Sequence, residues 1–478
     1  MTFGMHDPTG GGWGGSPPHE PVSGGAFAGE RAVVIGLGLA GAAAARVLAE
    51  EGASVRVSEA RPEAAADPAL AALGVEVLGG EHRPEHLDGA TLVVTSPGVP
   101  EGAPVLAWAR DRDLPVWSEL EIGARMAPMP YVAVTGTNGK TTTTEMVAAA
   151  MREAGLAARA CGNVGYPFSV AVREPFDALA VEVSSFQLRF LESFHPRVSV
   201  LLNLSPDHLD WHGSVERYVA AKRRILVNQG PGDAHVGNRD DALAGEISRG
   251  AAASGVDLRW FTLGPPGPGE VGYEGAALVS RAGVKVPLGV PASPTASHRA
   301  DAAAAAAAAI AFGLDAEAAG RAVCAFRPLP HRGEVVASVG RVRFVDDSKA
   351  TNPHAALAAV EGATGVVLIA GGMAKGVDLS PLARAVPALA GVVAIGQAAD
   401  ELVALFDGLV PVRRAAGMDE AVRAALEMAP PDGTVILAPA CASQDMFRDY
   451  AERGARFAEA AARLSDPDGA REGASRAR

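Results

Sequence analysis

The stretch 131-YVAVTGTNGKTTTTEM-146 decides the fold. Tyr131 to Gly136 read as a β-strand, and the glycines, Lys140 and Thr141 that follow lead into a helix. Strand, glycine loop, Lys-Thr and helix is the context that a phosphate-binding loop requires. Backbone N–H groups at the helix N-terminus would wrap phosphates, Lys140 would add a point charge, and the Thr141 hydroxyl would ligate Mg2+. The usual G-x-x-x-x-G-K-[ST] pattern is incomplete, because Val134 stands where its first glycine belongs. An ordinary glycine turn is the competing reading, and the surrounding strand and helix favour the phosphate loop.

N-terminal to this block, "RAVVIGLGLAGAAAARVLAEEGASVRVSEARP" reads as strand, glycine turn, alanine-rich helix and a second strand ending at Glu59. That is a βαβ nucleotide-binding unit, with Gly36, Gly38 and Gly41 forming G-x-G-x-x-G. Glu59 falls where an acidic side chain meets a ribose hydroxyl. Spacing alone leaves a nucleotide site and a structural turn both open. C-terminal to the block, strands "DALAVEVSS" and "VSVLLNLSPDH" end in polar residues, as parallel strands do at a ligand edge. "DAAAAAAAAI" reads by propensity as a plain helix and as a repeat expansion. From about Leu329 a third α/β unit begins, with polar clusters at Asp347 to Lys349, Lys375 and Ser443 after its strands.

Composition narrows the class. At 478 residues the chain fits two to four domains, and the expected segments are a disordered tail 1–28, an N-terminal domain 29–127, a central domain 128–328, a C-terminal domain 329–464 and a tail 465–478. The opening Gly-, Pro- and Ser-rich stretch lacks a basic segment followed by an apolar one, so a tail rather than a secretory signal is expected. A net charge of -13 argues against nucleic acid or anionic lipid as partner, and no apolar run is long enough to span a bilayer. Cys161, Cys324 and Cys441 are far apart, which points to neither zinc nor disulfides and suits a cytoplasmic protein.

From Arg31 to about Leu464, the motifs "GLGLAG", "TSPGV", "GTNGKTT", "GNVG", "EVSSFQL", "LNLSPDHLDWHGS", "AAKRRI", "LPHR", "DDSKATN", "GGMAKG" and "LAPACASQDMF" run in one order. In this the chain resembles the Mur ligases of peptidoglycan synthesis, most closely the type that adds D-glutamate to UDP-N-acetylmuramoyl-L-alanine. The resemblance implies a three-domain α/β enzyme, with Rossmann-like N- and C-terminal domains around a P-loop-type ATPase domain. It implies amide formation through an acyl phosphate, ATP as cofactor with two Mg2+ ions, and a monomer.

Position by position, the resemblance gives Gly136, Thr137, Asn138, Gly139, Lys140, Thr141 and Thr142 to the ATP phosphates, with His298, Arg299, Asp301, Arg332 and Asp347 around the nucleotide. Thr141, Glu182, His208 and Lys222 match the metal-binding positions, Lys222 as a carbamate. Lys140, Glu182, His208, Lys222 and Lys349 match the catalytic group. Gly38, Leu39, Ala40, Glu59, Arg61, Ser96, Pro97 and Gly98 match positions around the uridine diphosphate, and Asn163, Ser184, Gln187 and His208 those near the muramoyl group. Arg332, Lys349, Thr351, Lys375, Ser443, Gln444 and Tyr450 match positions around D-glutamate.

The chain departs from the family pattern in places. Where the family shows G-x-H-N-x-x-N, this sequence reads "ASHRADAA", with His298 kept, Arg299 for the first Asn and Ala302 for the second. Arg299 or Asp301 is expected to supply the missing hydrogen bonds to the nucleotide. Ala60 replaces a frequent hydroxyl residue, and Met373 stands where an acidic one is often found. The competing classes are a Mur-superfamily ligase for another amino acid, a nicotinamide-dependent dehydrogenase built on the first block, and a regulatory nucleotide-binding protein.

Overall fold

The computed structural model describes residues 25–62, 68–163, 165–283, 285–293 and 295–465, with Asp210 described in its backbone alone. Most of both expected tails therefore lies outside the described residues. Their inner ends are structured: Phe27 is 4% exposed and its ring lies 6.5 Å from that of Trp117, while Ser465 closes the helix Tyr450–Ser465. A phenylalanine in a Gly-Ala setting was enough to anchor a segment whose composition reads as tail.

Two compact units divide the chain. The first runs up to Ala133 and adds Leu156–Arg197 and Leu209–Gly230; the second takes Val134–Gly155, Val198–His208 and the chain from Pro231.

In the first unit, strands β1 (Arg31–Ile35), β2 (Ser54–Glu59), β3 (Glu76–Gly79), β4 (Leu92–Thr95) and β5 (Val116–Trp117) form a parallel sheet in the order β3-β2-β1-β4-β5. Chain order reverses beside β1, the switch point at which such sheets open a crevice. Ile35 pairs with Ser58 on one side and Thr95 on the other, so the turns after β1, β2 and β4 leave from the same edge. Strand β6 (Tyr131–Thr135) starts in this unit and ends in the second, and β7 (Ala158–Gly162) and β8 (Ala178–Glu182) pair in parallel with Gly162 opposite Glu182.

In the second unit, β9 (Val198–Leu201), β10 (Ala234–Asn238), β11 (Asp257–Phe261) and β12 (Glu270–Glu274) run parallel, and β13 (Ala277–Ser280) and β14 (Val286–Gly289) complete that run antiparallel. The alanine run proves to be more than a propensity effect. Ala302 to Ala309 are all buried in the helix Ala296–Phe312, which packs on the helices Lys140–Glu153 and Ala316–Ala325 and on β9 to β12. A helix apolar on every face is one enclosed on every face, and methyl side chains let two helices and four strands approach closely.

The last sheet, β15 (Glu334–Val339), β16 (Val342–Asp346), β17 (Val366–Gly371), β18 (Leu389–Ile395), β19 (Val412–Arg414) and β20 (Thr434–Leu437), has the order β15-β16-β20-β17-β18-β19. Only the edge strand β15 is antiparallel to its neighbour. Leu437 pairs with both Asp346 and Ile369, so the loops after β16, β20 and β17 emerge side by side.

Candidate active site

The first unit holds a cavity of about 580 Å3 at the crevice its sheet order predicts. Gly36 has φ +86°, and a Cβ at Gly41 would run into the Gly36 carbonyl, so this turn closes only with glycines. Gly38 is the N-cap of the helix Leu39–Glu50, whose unpaired N–H groups suit an anion without any lysine. Of the residues assigned to the UDP-linked substrate, Gly38, Leu39, Ala40, Glu59, Ser96, Pro97, Gly98, Asn163 and Gln187 line the cavity, and so does Ala60.

Glu59 accepts the Leu37 N–H at 2.6 Å and the Arg61 backbone and Nε groups at 3.1 Å. Burial pushes its carboxyl up, but these hydrogen bonds outweigh it and hold the group below the usual carboxylate range. Arg61 is the exception to the expected set: its side chain is 61% exposed, paired to Glu59, and not part of the cavity wall. Ser184 also stays out, closing a capping box with Gln187 at the start of the short helix Ser185–Leu188. Two lining residues escaped sequence reading. Glu119 accepts the Ser169 N–H at 2.6 Å and burial raises it to about 7; His82 follows the strand-end glycines Gly79 and Gly80, its only sequence signal.

Glu182 ends β8, fully within the first unit. Its Oε1 accepts Asn163 Nδ2 at 2.7 Å, and its buried Oε2 has no hydrogen-bond partner, so this oxygen fits a divalent cation. Lys222, also in the first unit, is 2% exposed, with Nζ 5.1 Å from the Tyr218 ring centroid. His208, in the second unit, has φ +52° and places Nε2 3.7 Å from Asp207 Oδ2. Among the described residues no group of three or more His, Cys, Asp or Glu side chains is gathered around one metal position.

The second unit holds a cavity of about 780 Å3. Gly139, at φ +83°, caps the helix Lys140–Glu153, and a Cβ there would collide with Asp301 Oδ1. The Asn138 N–H donates to Asn203 Oδ1 at 2.9 Å, and Lys140 Nζ donates to the Gly136 and Thr137 carbonyls at 3.0 and 2.8 Å. Arg332 Nη2 donates to Thr141 Oγ1 at 2.9 Å, which ties the "LPHR" stretch directly to the loop.

Asn138, Gly139, Thr142, His298, Asp301, Arg332 and Asp347 line this cavity; Gly136, Thr137, Lys140 and Thr141 belong to the loop but not to the wall. Burial raises Asp301 to about 8 and Asp347 to about 7, with Arg332 pulling both down. Asp301 also accepts Thr143 Oγ1 at 3.2 Å. Burial lowers His298 to about 4.

Arg299 corrects one expectation. Its guanidinium stacks 4.1 Å over Tyr273 and donates to the Gly275 carbonyl at 3.1 Å, outside the cavity wall, whereas Asp301 lines it. Asn203, Asn238 and His354 also line the cavity and were not assigned; Asn238 ends β10, where a strand-end polar residue is a readable signal.

Lys349 lines the same cavity and sits 3.8 Å over the Tyr450 ring. Thr351 donates its N–H to the Lys349 carbonyl, and Ser443 is buried in the neighbouring loop, while Lys375 (φ +53°) and Gln444 are exposed. The residue that joins these loops is Arg453, 1% exposed and unassigned from sequence. Its guanidinium donates to Ser348 Oγ (2.9 Å), the Ser348 carbonyl (2.8 Å) and the Cys441 carbonyl (3.1 Å), and burial lowers it to about 10. Met373, at the position where an acid was expected, instead bridges by backbone to Ala442.

Three family models match: the Mur ligase MurD-like N-terminal domain over residues 30–118, the Mur ligase middle domain over 134–265, and the Mur ligase glutamate ligase domain over 331–441. The chain is 44% identical to the UDP-N-acetylmuramoylalanine--D-glutamate ligase of Frankia casuarinae, over 91% of this chain and 94% of that one. It is 42% identical to the ligase of the same name from Streptomyces coelicolor, over 92% and 99%. Among solved structures, the UDP-N-acetylmuramate-alanine ligase of Thermotoga maritima matches with a TM-score of 0.54 at 19% identity, over 90% of this chain and 98% of that one. A pseudomurein peptide ligase of Methanothermus fervidus matches with a TM-score of 0.56 at 18% identity, over 90% and 99%; at such identities these two speak for the fold. The phosphate loop, the two cavities and the near full-length matches lead to one conclusion: this chain belongs to the Mur ligase family.

Proposed function

We propose that this chain is an ATP-dependent ligase that joins the amine of D-glutamate to the carboxylate of UDP-N-acetylmuramoyl-L-alanine, as a cytoplasmic monomer supplying peptidoglycan precursors. The observation that carries the reading is the second cavity, in which the phosphate loop shares one space with Arg332, Asp347 and Lys349. No helix among the described residues is long and apolar enough to cross a membrane.

A carboxylate is a poor electrophile until one of its oxygens becomes a good leaving group. Transfer of the γ-phosphoryl group of ATP to the L-alanine carboxylate gives an acyl phosphate. The D-glutamate amine then attacks the carbonyl carbon, the tetrahedral intermediate expels inorganic phosphate, and the amine gives up a proton. Lys140 and the loop N–H groups hold the phosphates, and the first cavity holds the UDP moiety on the N–H groups after Gly38. Arg332 and Lys349, with Thr351, Lys375, Ser443, Gln444 and Tyr450, form the D-glutamate end.

Glu182 and Lys222 in the first unit, and Thr141 and His208 in the second, would each serve as Mg2+ ligands, with Lys222 as a carbamate that turns an amine into an anionic ligand. Bound Mg2+ supplies neutralisation of phosphoryl charge during transfer. Domain limits of 29–127, 128–328 and 329–464 fit the reading.

The test is phosphate release from ATP with UDP-N-acetylmuramoyl-L-alanine, comparing D-glutamate with L-glutamate, L-alanine and meso-diaminopimelate. Release with D-glutamate alone is expected; release with another amino acid reassigns the substrate, and release with none overturns the reading. For Lys222, the expected result is that Lys222→Ala loses activity and regains part of it with a short carboxylic acid, and near-normal activity without that acid rules the carbamate out.

A further inference from the structure

One cluster in the first unit has no part in the reading so far. Ser58 Oγ, fully buried at the end of β2, lies 2.8 Å from His82 Nδ1 and 2.7 Å from His86 Nδ1. Burial lowers both imidazoles; His86 pushes His82 further down against the pull of Glu59, and Arg83 and Arg56 act on His86 against Glu85 and Glu76. Both rings are therefore neutral at neutral pH, with one N–H each.

A serine hydroxyl has one proton to give. It donates to one Nδ1, and the other ring must donate its own Nδ1–H to Ser58 Oγ. The two histidines thus hold opposite tautomers, and the role of each outer nitrogen is coupled to that of the other. A ring fixed in this way on a cavity wall is a recognition group, because it meets a ligand without first losing rotational freedom.

His82 does line the first cavity, beside Glu59 and Ala60. Phosphate belongs against the N-terminus of the helix Leu39–Glu50, where N–H groups attract anions. Glu59 falls where an acidic side chain meets a ribose hydroxyl, and His82 lines the same cavity close enough to feel the Glu59 charge. We propose that His82, held in one tautomer by Ser58 and His86, positions the uridine end of the UDP-linked substrate. The inference rests on the ligase reading above and adds to it a positioning residue whose work is nucleoside selection.

The experiment is calorimetric titration of the full chain with UDP and, separately, with inorganic pyrophosphate. His82→Ala should weaken UDP binding roughly tenfold, the worth of one hydrogen bond, while pyrophosphate affinity moves less than ~twofold. Ser58→Ala should give a smaller loss for UDP alone, and His82→Gln should recover part of it. In the ligase assay, KM for the UDP-linked substrate should rise while KM for D-glutamate and ATP stays put. Wild-type UDP affinity in His82→Ala, or equal losses for UDP and pyrophosphate, would overturn the inference. A wild-type chain that binds no UDP overturns the ligase reading itself, and that failure is seen before any variant is made.

Discussion

The two glycine-rich loops both sit at helix N-termini, yet they meet anions by different means. Around Gly36, Gly38 and Gly41 the loop offers backbone, small side chains and a carboxylate already satisfied by Leu37 and Arg61, although the cavity wall also carries His82 and Glu119. Around Gly139 the wall carries Asp301, Asp347 and Arg332, with Lys140 in the loop and both carboxyls raised by burial. A loop that meets a diphosphate through backbone N–H groups holds it as a handle and brings no titrating group of its own to the contact. A site built from buried charges is sensitive to every proton and every packing change, which suits the place where phosphoryl charge moves.

The sharpest way to test that contrast is Gly139→Ala. The substitution needs φ +83° from an L-residue and drives a methyl into Asp301, displacing the loop. Ligase turnover should fall on the order of 10²-fold, as expected for a misplaced phosphate cradle, while calorimetric UDP affinity is unchanged. Equal losses at both sites would show that the cavities do not act separately.

Arg453→Met comes next. It leaves the Ser348 and Cys441 carbonyls buried without their donor, so urea denaturation should show a loss of about 2 kcal/mol. KM for D-glutamate should rise and UDP affinity should hold. A stability loss with no change in KM for D-glutamate would mean that Arg453 supports the fold and not the loops' alignment.

How far the sequence could be read follows the same division. The loops that work through backbone carry their signal in glycine spacing and strand context, and Gly36 to Gly41 and Gly136 to Gly139 were legible for that reason. Strand-end polar residues such as Glu182 and Asp347 were legible too, because parallel strands deliver their C-terminal ends to one edge. Arg453 was not, since one of three arginines in an amphipathic helix reads as surface until the fold buries it. The course of Arg299 was not legible, because sequence position says nothing of which way a long side chain turns; here it stacks on Tyr273. The alanine run was underread, since propensity reports that a helix forms and only packing reports what encloses it.

Asp301→Asn tests the charged cavity through pH. In the folded chain burial pushes Asp301 up to about 8 from the ordinary aspartate value of 3.8, so the folded state holds a proton that the unfolded state has released across that window. Stability then falls as pH rises through it, and Asp347, raised to about 7, adds to the fall over the lower part. Asparagine carries no such proton. The stability of Asp301→Asn relative to wild type should therefore improve from about pH 5 to about pH 8.5 by at least ~1 kcal/mol, measured by urea midpoints at the two values. A constant difference would mean that Asp301 is ionised throughout and that Arg332 outweighs its burial.

Arg61→Ala should be the mildest change. Sequence matching places Arg61 on the diphosphate, whereas the structure pairs it with Glu59 and leaves it 61% exposed, outside the cavity wall. An exposed ion pair contributes about 0–1 kcal/mol and fades with salt, so thermal stability should barely move. If the first loop binds its anion through backbone, UDP affinity should drop less than ~threefold, and raising the salt should not widen the gap. A larger, salt-sensitive loss would place the guanidinium on the diphosphate after all, and the two loops would then share one strategy, a glycine turn assisted by a cation, with the first keeping its cation on Glu59 until the ligand arrives.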